Sequence, residues 1–147
     1  MASIKQGNSP KGLKKYASVP VPDYPKKINI GIQEEMCNLS CPKCLVFGTN
    51  VDTTFDITKV ATSSLTMENV IQILDKIKGH DTAINLGFWV EPLVIRSFRE
   101  VLIAAKERGV PVGLNTNGLL VTEKMAKFLV DHVSSVSVSI DSTTEET

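Results

Sequence analysis

The sequence predicts an α/β protein, a partial (β/α) barrel built from four parallel strands with helices on their outer side. Three observations carry this. From Lys26 onward, segments with a two-residue hydrophobic period alternate with segments of helical period, the pattern of strand–crossover–strand units and a parallel sheet. Each strand is apolar on one parity only, whereas strands covered by helices on both faces read as continuous apolar runs. Finally, 147 residues with 42% hydrophobic content are enough for one domain with a core.

The elements follow in order. Residues 1–25 hold Pro10, Pro20, Pro22 and Pro25 among several lysines and show no period, as expected of an extended arm. Residues 26–147 form the domain. "KINIGIQ" (27–33) is the first strand, with Ile28, Ile30 and Ile32 on one face. "LTMENVIQILDKIKG" (65–79) is a helix with Thr66 placed to cap it and Val70, Ile71, Leu74 and Ile77 as its apolar face. "TAINLGFW" (82–89) is the second strand. "LVIRSFREVLIAAKERG" (93–109) is the second helix, buried through Phe98, Val101, Leu102 and Ala105. "VPVGLNTNG" (110–118) is the third strand, and Thr122 caps a third helix ending near His132. "SSVSVSID" (134–141) is the fourth strand.

The polar parity of these strands holds Asn29, Gly31, Gln33, Asn85, Gly87, Gly113, Asn115, Asn117, Ser137, Ser139 and Asp141. A closed barrel ordinarily fills its interior with branched apolar side chains. Asparagine, serine and glycine there predict a cavity for a polar ligand; the alternative is an open sheet with one face in water. Four strands leave an open edge, and the stop after the fourth predicts the amino-terminal part of a longer protein.

Lysine plus arginine equals aspartate plus glutamate at 16 each, so no net field draws the chain to nucleic acid or an anionic membrane. No apolar run approaches the roughly 20 residues of a membrane span. The amino terminus lacks a secretory h-region, so the expected location is cytoplasmic, where thiols stay reduced.

All three cysteines lie in "CNLSCPKC" (37–44), spaced C-x3-C-x2-C. An odd number in one loop argues against a disulfide framework. Structural zinc ordinarily takes four protein ligands, and the two histidines, His80 and His132, lie in other segments. A three-thiolate zinc site and inert cysteines remain as alternatives. An iron–sulfur cubane, in which each iron usually takes one thiolate, suits three cysteines if its fourth iron binds a small molecule. The loop also follows the first strand, on the carboxyl side where parallel sheets place their sites.

"CNLSCPKC" after a first strand resembles the cluster loop of the radical S-adenosylmethionine (radical SAM) enzymes. "LGFWVEPL" (86–93) is similar to that family's Gly-Glu-Pro segment after the second strand, "LNTNGLLVTE" (114–123) to its third-strand segment and "VSVSIDS" (136–142) to its fourth. The resemblance covers roughly residues 27–147. It implies a 4Fe–4S cluster on Cys37, Cys41 and Cys44, with S-adenosylmethionine on the open iron. Reductive cleavage would then yield a 5′-deoxyadenosyl radical that abstracts hydrogen from a small-molecule or peptide substrate. The electron would come from a donor such as a flavodoxin or ferredoxin. The same resemblance assigns Glu91, Pro92, Asn115, Asn117 and Ser139 to cofactor binding. It departs from the family pattern at Lys43, where an aromatic residue is common, and at Phe88 and Val90, where glycines stand. Leu45, Val46 or Phe47 would then meet the adenine. Other readings stay open: Glu91 as a strand-end acid, "TNG" (116–118) as ordinary turn chemistry, Asp141 as a helix cap. The second functional reading is a non-catalytic iron–sulfur or zinc-binding module.

Overall fold

The structure, a computed structural model, describes residues 22–31, 37–42, 44, 47–48, 65–87 and 90–141. The arm up to residue 21, the connection 49–64, Ile32, Gln33, Lys43, Leu45, Val46, Phe88, Trp89 and the tail 142–147 lie outside the described residues.

The elements run β1 (Lys27–Ile30), α1 (Met67–Ile77), β2 (Ala83–Leu86), a 3-10 turn (Pro92–Val94), α2 (Phe98–Glu107), β3 (Val112–Thr116), α3 (Glu123–His132) and β4 (Ser135–Val138). The four strands form one parallel sheet in the order β1-β2-β3-β4. That sequential order separates the fold from a doubly wound sheet, whose strand order reverses at a switch point. Crossovers that all step the same way with the same hand place every helix on one face, which is the arrangement of an open part of a (β/α) barrel.

The helices start where side chains close their free amide groups. Thr66 accepts from Asn69 N, and the Asn69 side chain accepts from Thr66 N, a reciprocal cap on α1. Thr122 accepts from Met125 N at the start of α3. The second helix begins later than its hydrophobic period suggests. Glu91 and Pro92 begin a separate 3-10 turn, Ile95 is extended (φ −70°, ψ 127°), and α2 starts only at Phe98. Proline suits the first position of a helical turn because its missing N–H has no intrahelical partner there.

The core lies between the sheet's apolar parity and the helices. Ile30, Ile84, Leu86, Val112 and Leu114 are buried against Val70, Leu74, Phe98, Val101, Leu102 and Leu129. The fourth strand differs: Val136, Val138 and Ile140 carry the expected apolar parity but are exposed. No described helix of the chain is long and apolar enough to cross a membrane.

Candidate active site at the carboxyl ends of the strands

Parallel pairing aligns the strand ends. The register Gly113↔Ser135, Asn115↔Ser137 continues through a bond from Ser139 N to Thr116 O (2.8 Å). The carboxyl ends of β2, β3 and β4 therefore form one rim, and the cysteine loop stands beside it.

The rim and the loop enclose a cleft of ≈ 180 Å³ lined by Cys37, Leu39, Cys41, Gly87, Val90, Glu91, Asn115, Thr116, Asn117 and Ser139. Six of the eight residues expected from the sequence meet there: Cys37, Cys41, Glu91, Asn115, Asn117 and Ser139. Pro92 is buried and lies outside the lining. Cys44 belongs to the same loop but is not part of the wall.

Short-range bonds shape the loop. Cys44 N donates to Cys41 O (2.9 Å), Gly48 N to Cys44 O (3.1 Å), and Phe47 N to Cys44 Sγ (3.3 Å). Gly48 is required by space: a Cβ there would stand 2.3 Å from Cys44 O and 2.8 Å from Cys41 O. All three cysteines are half-buried and none is in a disulfide. The loop is tied to the sheet by a bond from Asn117 Nδ2 to Asn38 Oδ1 (2.8 Å), and Asn38 Oδ1 also lies 3.9 Å from Cys37 Sγ. Asn117 Oδ1 accepts from Leu119 N (3.1 Å), so the turn reading of "TNG" holds while the same side chain anchors the cysteine loop.

Glu91 is 3% exposed. Its Oε1 accepts from Thr116 Oγ1 (2.7 Å) and Leu93 N (3.2 Å), and its Oε2 accepts from Asn117 N (2.7 Å). The carboxylate thus clasps the segment after β2 to the end of β3. Gly87 allows the same approach of backbones. Its φ is +91°, and a Cβ would stand 2.1 Å from Asn115 O and 2.9 Å from Pro92 Cγ.

Asn38, Gly48, Gly87 and Thr116 join the site only through the tertiary structure. Thr116 left a trace in the sequence, a polar residue at the end of an apolar parity; Asn38 left none. The histidines lie elsewhere. His80 stacks on Tyr24 (3.5 Å between centroids), and His132 stacks on Phe128 (4.1 Å) with Nδ1 2.8 Å from Phe128 O. Neither lines the cleft. Among the described residues no group of three or more His, Cys, Asp or Glu side chains stands close enough to hold a metal ion. The loop offers three thiols, the usual protein ligands of iron–sulfur clusters, beside the carboxyl ends of the strands, two of them in the cleft wall. The clear electrostatic shift in the described residues is remote from the cleft: Asp81 is held below the ordinary carboxylate range by its hydrogen bond to, and charge attraction by, Lys26.

A sequence model described as the Radical SAM superfamily matches residues 35–147. The fold is similar to two solved structures, each covering 77% of this chain at 17% identity: SeMet BtrN in an open conformation (TM-score 0.58) and BtrN in complex with AdoMet and 2-DOIA (TM-score 0.59). The match spans about half of those chains, 49% and 44% respectively. No curated protein sequence matches.

Proposed function

Because the chain belongs to the Radical SAM superfamily, we propose that its cleft binds S-adenosylmethionine beside a 4Fe–4S cluster and serves radical hydrogen abstraction from a substrate not yet identified. The observation that carries this reading is the meeting of Cys37 and Cys41 with Glu91, Asn115, Asn117 and Ser139 in one cleft. S-adenosylmethionine as partner is supported by the family and by the AdoMet complex of the structural neighbour.

Cys37, Cys41 and Cys44 would hold the cluster, since thiolates are the usual protein ligands of such clusters. Such a cluster, when bound, would supply the electron for reductive cleavage of S-adenosylmethionine. The chain's own residues bind and orient. Asn115 and Ser139 present an amide and a hydroxyl to the cleft and suit the polar parts of the cofactor. Glu91, with its oxygens taken by three donors, acts as the clasp that sets the backbone after β2 and the position of Asn117. Asn38 and Asn117 hold the cysteine loop against the rim. Phe47 N, already donating to Cys44 Sγ, is placed to tune a ligating sulfur, because hydrogen bonds to cluster sulfurs shift the potential. A flavodoxin- or ferredoxin-type donor and a cytoplasmic location belong to the same proposal.

The second reading is a metal-binding module that does not complete the reaction. The lining of the cleft, which takes in Cys37 and Cys41 but not Cys44, favours it. Anaerobic reconstitution with iron and sulfide, followed by reduction and electron paramagnetic resonance, separates the two. A cubane signal that changes on adding S-adenosylmethionine is the expected result. An unchanged cubane signal would leave only the second reading, and zinc without a cubane would remove the cluster altogether.

A further inference from the structure

The polar groups of Asn117 are engaged within the chain. Its N–H donates to Glu91 Oε2 (2.7 Å), its Oδ1 accepts from Leu119 N (3.1 Å) and its Nδ2 donates to Asn38 Oδ1 (2.8 Å). These bonds fix orientation as well as position. A backbone N–H can only donate, so the atom of Asn117 that meets Leu119 N is the oxygen. The amide nitrogen is thereby turned the other way, toward the cysteine loop. A donating nitrogen needs an acceptor, so Asn38 presents its own oxygen in return. The orientation of one amide dictates that of the next, across 79 positions of sequence.

That second oxygen stands beside a candidate cluster ligand. Asn38 Oδ1 lies 3.9 Å from Cys37 Sγ and accepts from its thiol. A cluster-bound sulfur carries no thiol proton, so the same oxygen would then face it with the negative end of its dipole. The opposite orientation of Asn38 would put an N–H donor beside the sulfur instead. Hydrogen bonds to ligating sulfurs help set the reduction potential of iron–sulfur clusters. A donor stabilises the more negative, reduced state and raises the potential, whereas an oxygen does not. Asn38 is exposed, so its amide has room to turn, and the bond from Asn117 opposes the turn.

We propose that Asn117, acting through Asn38, is a positioning residue that keeps an oxygen rather than an N–H against Cys37 and so holds the cluster at low potential. A low potential suits a cluster that gives its electron to S-adenosylmethionine, so the inference deepens the radical SAM reading above and rests on it.

The test is a double-mutant cycle on the reconstituted full chain, read by anaerobic redox titration with electron paramagnetic resonance. Asn117→Ser keeps a side-chain oxygen for Leu119 N, as serine does in comparable turns, and removes the donor to Asn38. The expected result is a rise in midpoint potential. One hydrogen bond changes the reduction equilibrium about five-fold, or about 40 mV for one electron. In an Asn38→Ala background the same substitution should change nothing. No rise, or a rise of equal size in the Asn38→Ala background, would overturn the proposal. The cluster-free chain gives a second measurement. Asn38→Ala should move the side-chain amide proton resonance of Asn117 upfield as its acceptor is lost, and an unmoved resonance would likewise overturn it. A cubane that ignores S-adenosylmethionine but shows the coupled rise would uphold the relay and remove the enzymatic reading. A cubane that responds to S-adenosylmethionine without the coupled rise would do the reverse, and a chain that forms no cubane would remove both.

Discussion

Glu91→Gln separates a clasp from a free ligand. In the structure Oε2 accepts the Asn117 amide at 2.7 Å, and Oε1 takes Thr116 and Leu93. Glutamine keeps the shape and one oxygen, which still serves Thr116 and Leu93. Its amide nitrogen then faces the Asn117 N–H, donor against donor. A hydrogen bond to a charged group contributes about 1.5–3 kcal/mol. Asn117 is only half-buried and can recover part of this from water, so the expected cost is about 2 kcal/mol. For a chain of this length that corresponds to a fall of roughly 6 °C in Tm. Urea denaturation of the cofactor-free protein followed by far-UV circular dichroism measures it directly. A carboxylate whose job was only to bind the cofactor would leave the cofactor-free stability untouched. A change below about 0.5 kcal/mol, the usual scatter of surface substitutions, would therefore refute the clasp.

Two further predictions concern one backbone contact beside the site and one ion pair remote from it. Gly87→Ala places a Cβ 2.1 Å from Asn115 O at φ +91°, whereas Gly79→Ala, at φ +80°, meets nothing within 4 Å. The second should cost about 1 kcal/mol of backbone strain and the first clearly more, at least about 3 kcal/mol, since backbone must move; equal midpoints in urea would contradict the close approach. The Lys26–Asp81 pair lowers the Asp81 pKa, so its stabilisation is present above the unfolded-state value and is lost as pH falls through the folded one. The stability difference between wild type and Asp81→Asn should accordingly vanish in acid and shrink in high salt, because both partners are exposed. A difference that persists at low pH would assign the effect to something other than charge.

Much of the fold was legible in the residues. Thr66 and Thr122 each stand three residues from the amide they cap, and the apolar parity of β2 and β3 became the buried face. Such signals are local, because capping and periodicity involve neighbours a few positions apart. The break at Ile95 was hidden, since Leu93 and Val94 extend the apolar period of α2 while the Glu91–Pro92 turn interrupts its backbone. At β4 the alternation of Val136, Val138 and Ile140 sets an apolar parity, yet these side chains stay exposed; a pattern names the face to be covered and does not supply the cover.

For the site, the sequence by itself determined the chemistry available. Three thiols within eight residues, a polar strand parity and an acid before a proline were all visible in the order of the letters. Only the tertiary structure decided how they are used. Glu91 meets Thr116 and Asn117 across about 25 positions, and Asn38 meets Asn117 across 79. Those partners are set by strand register and by the path of loops, which depend on the whole packed sheet. Glu91 thereby became a clasp and Asn38 an anchor, because burial and distance in three dimensions, and no local rule, select the partner of a polar side chain.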